Sequence, residues 1–170
     1  MAIVTTILDA MRAIRATQVG IAITDPAPIA VKTAYLTRPP QAETITANLP
    51  CFTNSWDFVG ETRHGNLREL AYTVNMQLHV ADATKGDNSR HAEVATSFLD
   101  AILAAFGAVD SVTGLGGIQM RGDVGGTIVP TATYTNIRGG SPTLGLLDPP
   151  GTIGLDLILE LTVSEAFAYS

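Results

Sequence analysis

A chain of 170 residues, 46% hydrophobic and 15% charged, has room and material for one well-buried core and is too apolar to be disordered. Its net charge of −6, with ten scattered basic residues and none after Arg138, leaves no basic patch to grip nucleic acid. No apolar run reaches the roughly 20 residues of a membrane helix, and Met1 to Thr6 lacks the basic start of a signal peptide. The expectation is a non-secreted protein without membrane contact, folded as one domain over residues 1–170.

Ile3 to Ala16 reads as an amphipathic helix. Ile3, Val4, Ile7, Leu8, Ala10, Met11 and Ile14 share one half of the helical wheel, and Thr5, Thr6, Asp9 and Arg12 take the other. Gly20 lies past its end, and Asp25-Pro26-Ala27-Pro28 is a turn cluster. Ile29 to Thr37 reads as a strand with Ile29, Val31 and Tyr35 alternating. Arg38 to Pro50 is expected to be weakly ordered. A further strand spans Cys51 to Val59, and Arg63-His64-Gly65-Asn66 reads as a hairpin tip.

The clearest strand follows. Leu70, Tyr72, Val74, Met76, Leu78 and Val80 alternate with Glu69, Ala71, Thr73, Asn75, Gln77 and His79. One apolar and one largely polar face predict a sheet covered on one side only, with antiparallel pairing. Lys85 to Ser89 is a turn that supplies N-cap candidates. Arg90 to Phe106 is a helix whose wide apolar arc holds Val94, Ala95, Phe98, Leu99, Ile102, Leu103 and Phe106, with Gly107 as its stop.

Gly117 to Arg121 and Thr127 to Ile137 are the expected arms of a hairpin with a flexible tip at Gly122 to Gly126. Gly139 to Gly151, with four glycines and three prolines, predicts a loop without regular structure. Ile153 to Val163 closes the chain as a strand, with Phe167 and Tyr169 continuing its apolar register. The fold class expected is α+β: a mostly antiparallel sheet with two amphipathic helices packed on one face and long Gly/Pro-rich loops.

The sequence offers no chemistry-bearing motif. Gly114-Leu115-Gly116-Gly117 is followed by a polar strand-like stretch instead of a helix, so it reads as a turn and not as a dinucleotide loop. No Gly-Lys pair serves a phosphate loop, and no Gly-x-Ser-x-Gly elbow presents a serine. His64 falls on a turn, His79 on the solvent face of its strand, and His91 in the first turn of the second helix. None has zinc-pair spacing. Asp82, Asp87 and Asn88 read as turn and capping residues. Asp156 and Glu160 lie about 13–14 Å apart on one strand, too far for a glycosidase pair. Cys51, the only cysteine, excludes an intrachain disulfide or a cysteine-built metal site and reads as a packing residue. No catalytic, cofactor or metal-binding residue is assigned.

The order of elements resembles the tail terminator (tail completion) proteins of long-tailed bacteriophages. The opening helix Ile3 to Ala16, the strand Leu70 to Val80, the helix Arg90 to Phe106 and the final strand Ile153 to Val163 carry the likeness. The resemblance implies a non-enzymatic virion protein assembled in the host cytoplasm. It would form a ring, a homohexamer, that caps the tail tube, joins it to the head-side connector and lets DNA pass. Two long strands with differentiated faces leave sheet edges that a ring of subunits can cover. Under this resemblance the candidate interface residues are Gly114, Gly116, Asp123, Gly125, Gly140, Leu144 and Asp148. Another neck or tail component, such as a joining protein or tube subunit, shares the class. A small-ligand-binding domain or an enzyme with no familiar motif, and a bacterial assembly or secretion-system protein, are the alternatives outside it.

Overall fold

The computed structural model describes residues 7–65, 67–107, 120–124, 127–137 and 143–166. In chain order its elements are α1 (Ile7–Val19), β1 (Ala22–Ile23), β2 (Ile29–Ala30), β3 (Thr33–Tyr35), α2 (Ala42–Thr46), β4 (Cys51–His64) and β5 (Leu67–Asp82). After these come α3 (Asn88–Gly107), β6 (Met120–Val124), β7 (Thr127–Ile137), β8 (Thr143–Leu147) and β9 (Thr152–Ala166). The fold is α+β. Its main sheet runs β3-β4-β5-β9-β7-β6, and β8 pairs with β9 beside β7. Every pairing in it is antiparallel except β3 with β4, so the sheet is mixed.

β5 and β9 form the centre because their alternations match. Leu70, Tyr72, Val74, Met76 and Leu78 stand opposite Val163, Leu161, Leu159, Leu157 and Leu155. Directly opposed residues of antiparallel strands share a face, so this register concentrates both apolar rows on one side. Ala10, Met11 and Ile14 of α1, with Val94, Ala95, Phe98, Ile102 and Phe106 of α3, belong to the same buried cluster as these rows. One side of β9 is occupied by β5 along its whole length. The other is divided: β8 takes Thr152 to Asp156, and β7 takes Leu159 to Val163.

The structure corrects several sequence expectations. α1 runs on to Val19, since Gln18 is buried and exchanges two amide hydrogen bonds with Asn54, at 2.8 and 2.9 Å. Its expected first residues lie outside the described residues. The Ile29–Thr37 segment is not one strand. β2 pairs back onto β1 across the Asp25–Pro28 turn, whereas β3 joins β4. Between them, Val31 N–H donates to Ile21 O (3.0 Å) and Lys32 N–H to Pro50 O (2.8 Å), so the chain changes sheets there.

The segment 38–50 is not without order, because α2 forms within it and buries Ile45. The expected loop 139–151 contains β8, and β6 runs through Gly122 and Asp123, so these two are strand residues and not part of a flexible tip. Leu103 of the expected apolar arc of α3 is 42% exposed.

β4 continues five residues past Val59 to His64, and Gly65 takes the left-handed backbone that the hairpin turn requires (φ 61°). A bulge places Val59 as an extra residue between Phe58, opposite Tyr72, and Gly60, opposite Ala71. A second bulge in β5 leaves Val80 between His79, opposite Gly154, and Ala81, opposite Ile153. There the strands come so close that a Cβ on Gly154 would collide with the Leu78 carbonyl oxygen and meet Leu147 Cδ1 at 2.8 Å. Gly145, opposite Gly154 on β8, has open space around it.

Gly154→Ala should therefore destabilise the fold by about 2 kcal/mol or more, through forced separation of β5 and β9. Gly145→Ala should leave the midpoint of thermal or urea unfolding nearly unchanged. Equal midpoints for the two variants would contradict the close approach.

Candidate functional site

The face of the sheet opposite the hydrophobic cluster has a closed end and an open end. At the closed end, Cys51 and Thr53 of β4, His79 of β5 and Thr152 of β9 are all buried, with Ile45 of α2 beside them. His79 was expected to face solvent, and it is fully buried. Strand alternation put it on the correct face, but α2 and the neighbouring strands cover that face locally. Its Nε2 lies 3.0 Å from Thr53 Oγ1 and its Nδ1 2.7 Å from Thr152 Oγ1. A neutral imidazole, with one N–H and one lone pair, meets both hydroxyls. Burial first, and the positive charge of Arg38 second, hold its pKa down at about 4.

Cys51 Sγ donates weakly to Ile45 O at 3.7 Å, and burial pushes the thiol up to about 12. It stays a neutral packing group at physiological pH.

Toward the open end, Thr53, Gln77 and Asp156 form one row across β4, β5 and β9, and Ser55 and Asn75 begin the next. Arg38, three residues past β3, hydrogen-bonds to the carbonyl oxygen of Pro149 in the turn between β8 and β9. With the two rows it encloses a half-open groove of about 300 Å³. Every residue that lines it has a polar side chain: one guanidinium, one carboxylate, carboxamides and hydroxyls.

A third feature is the far half of β4. β3 pairs only with Cys51, Phe52 and Thr53. Beyond them no strand flanks the outer side of β4 among the described residues. At its bulge Phe58 and Val59 are 58% and 65% exposed, and Phe58 meets Tyr72 edge-on at 5.7 Å between ring centroids.

The candidate interface residues are not gathered into one site. Gly114, Gly116, Gly125 and Gly140 lie outside the described residues. Asp123 is in β6, a strand position and not a loop tip, at the end of the sheet farthest from β4. Leu144 is in β8 and 42% exposed, also not in a loop, and Asp148 is exposed in the turn that follows.

The remaining candidates have local partners. His91 Nε2 donates to Lys85 O at 2.7 Å, bracing the start of α3. His64 lies 3.7 Å from Glu69 beside the hairpin tip. Asp82 Oδ1 accepts from Thr84 N–H and Oγ1, and Asp87 Oδ1 from Ser89 N–H, as turn and capping residues do. Among the described residues no three His, Cys, Asp or Glu come together that could hold a metal ion, and no helix is long and apolar enough to cross a membrane.

Sequence reasoning passed over Arg38 and the Asn75–Gln77 face. The amide-rich alternation of Thr73, Asn75 and Gln77 was the available signal, whereas nothing near Arg38 marks its reach to Pro149. No protein-family model, curated protein or solved structure matches the chain.

Because the pKa of His79 is lower in the folded chain than the ordinary 6.5, the unfolded chain takes up its proton first as pH falls. Its contribution to stability is complete above about pH 6.5 and is lost progressively toward pH 4, by roughly 3 kcal/mol in total. Urea unfolding across that range should show this slope in the wild type and a flatter one in His79→Gln. Parallel slopes would mean that the buried imidazole does not control the acid limb.

Proposed function

We propose that the chain is a ring-forming structural subunit of a bacteriophage tail, of the tail terminator kind. In this reading copies of the chain close into a homohexamer that ends the tail tube, meets the head-side connector and leaves a passage for DNA. The observation that carries it is the outer side of β4 past Thr53. A long strand edge with exposed Phe58 and Val59 at its bulge is an association surface unless something covers it. The opposite end of the sheet is β6, which pairs with β7 alone among the described residues. Two different edges at two ends of one sheet suit a head-to-tail contact, and head-to-tail contacts that close make rings.

Other observations support the same reading. α1 and α3 both contribute residues to the buried cluster that β5 and β9 share, which supports two amphipathic helices lying on one face of the sheet. Leu144 and Leu146 on β8 are 42% and 60% exposed, a second apolar strip for a neighbour or tube subunit. The net charge of −6 disfavours tight contact with the phosphate backbone and so permits DNA to move past. Other neck and tail components share these needs, and the terminator role within the class comes from the order of elements.

Multi-angle light scattering, alone and with purified tail tubes, tests the reading. The wild type should run at several times its 17.8 kDa chain mass. Val59→Lys, which places a charge on the exposed bulge, should shift the population toward monomer while changing stability by no more than about 0.5 kcal/mol. A wild type that stays monomeric under both conditions would sink the ring.

A further inference from the structure

The groove beneath Arg38 has hydrogen-bonding capacity that the fold does not use. Ser55, Asn75, Gln77 and Asp156 line it, and none makes a side-chain hydrogen bond or ion pair among the described residues. Asn75, Gln77 and Asp156 are half-buried, so much of their hydration is already lost. Thr53, by contrast, is committed to His79. The open end of the row is thus a set of aligned donors and acceptors on three neighbouring, hydrogen-bonded strands.

Its charges define what fits. Arg38 is a permanent cation tied to Pro149 through one nitrogen, with further N–H groups left to donate. Asp156 can only accept when ionised, and the two carboxamides do both. A simple anion satisfies Arg38 but is repelled by Asp156, and a simple cation meets the reverse. An apolar guest strips water from all of these groups and replaces none of their bonds. At about 300 Å³ the groove is at the small end of ligand sites and holds the volume of about ten water molecules.

We propose that this groove binds a small zwitterion of amino-acid size, its carboxylate toward Arg38 and its ammonium group toward Asp156. Asn75 and Gln77 bond to whatever polar group lies between. This site does not depend on the ring reading, since it uses the inner half of β4 and is present in each copy.

The geometry supplies a remote reporter. Thr53 separates His79 from the groove, so His79 touches no guest, yet the charge of Arg38 bears on it. A carboxylate set against Arg38 offsets that charge, so the ring signals of His79 should move when the groove fills.

The experiment is an NMR titration of the full chain with glycine, L-glutamine, succinate and 1,4-diaminobutane. L-glutamine should give saturable shifts at the groove and at His79, and the two single-sign probes should bind about tenfold more weakly or worse. Asp156→Asn, which keeps shape and removes charge, should weaken glutamine by about tenfold, as should Arg38→Gln. Should Arg38→Gln loosen the turn at Pro149, Asp156→Asn alone decides. Glu93→Gln on the outer side of α3 should change nothing. The proposal is overturned if neither amino acid saturates, if succinate binds as well as glutamine, or if folded Asp156→Asn keeps wild-type affinity. Light scattering on the same samples keeps a failed ring distinguishable from a failed site.

Discussion

The pairing of β5 with β9 is the constraint on which the rest of the structure depends. A shift of one residue between them would carry Leu155, Leu157, Leu159, Leu161 and Val163 to the polar side of the sheet. Such a slip would bring apolar side chains to solvent and draw Asp156 and Glu160 into the cluster that α1 and α3 cover. The penalty is therefore both lost burial and buried unpaired charge, and the two act together to hold one register. At one end Gly154 adds a steric lock, because only a residue without a side chain fits against the Leu78 backbone. Bulges then take up the mismatch of strand lengths without disturbing the central rows.

The same register decides what stands on the other face. Thr53, Gln77 and Asp156 come into line because the apolar rows are in line, not through any contact of their own. The Thr53–His79–Thr152 arrangement is the closed continuation of that polar surface, where burial is permitted because both ring nitrogens are satisfied. On the helix side, Gln18 and Asn54 follow the same rule. Asn54 bonds Gln18 twice over and also donates to Tyr35 O at 2.8 Å, so a polar pair sits in an apolar layer with its amide groups engaged. The buried polar side chains Gln18, Thr53, Asn54, His79 and Thr152 are all partnered in this way, whereas the half-buried Asn75, Gln77 and Asp156 are gathered at the groove.

Elements long enough to show a period were legible in the sequence. β5, β9 and α3 each carry an alternation that only one secondary structure can bury, and each appears close to its expected bounds. Short elements were not. β8 offers only Leu144, Leu146 and Leu147 among glycines and prolines, and it is a strand because β9 has a vacant side next to it. α2 owes its existence to a similar opportunity, the placement of Ile45 beside Cys51. Its sequence did carry a weak sign, an acid in the first turn at Glu43 shortly after Pro39 and Pro40. The burial of His79 escapes the sequence pattern for a different reason. Alternation reports which face a residue is on, and says nothing of what a distant segment lays over that face.

β4 links the two proposed surfaces, the strand edge and the groove, and explains why they need not compete. Its inner half, Cys51 to Ser55, pairs with β5 throughout and with β3 as far as Thr53, and its Thr53 and Ser55 form one wall of the groove. Past Thr53 it loses β3, and at Val59 the bulge reverses its alternation, so Glu61 stands opposite Leu70 and Arg63 opposite Arg68. Beyond the bulge the even-numbered residues take over the polar face, where Gly60 and Thr62 stand opposite Ala71 and Glu69, while the unpaired outer backbone becomes the feature the strand presents. Backbone edges recruit other backbones with little regard for side chains, whereas a row of fixed polar groups selects by charge and size. The inner half of β4 is therefore suited to discrimination and the outer half to assembly, and Val59 marks the boundary between them.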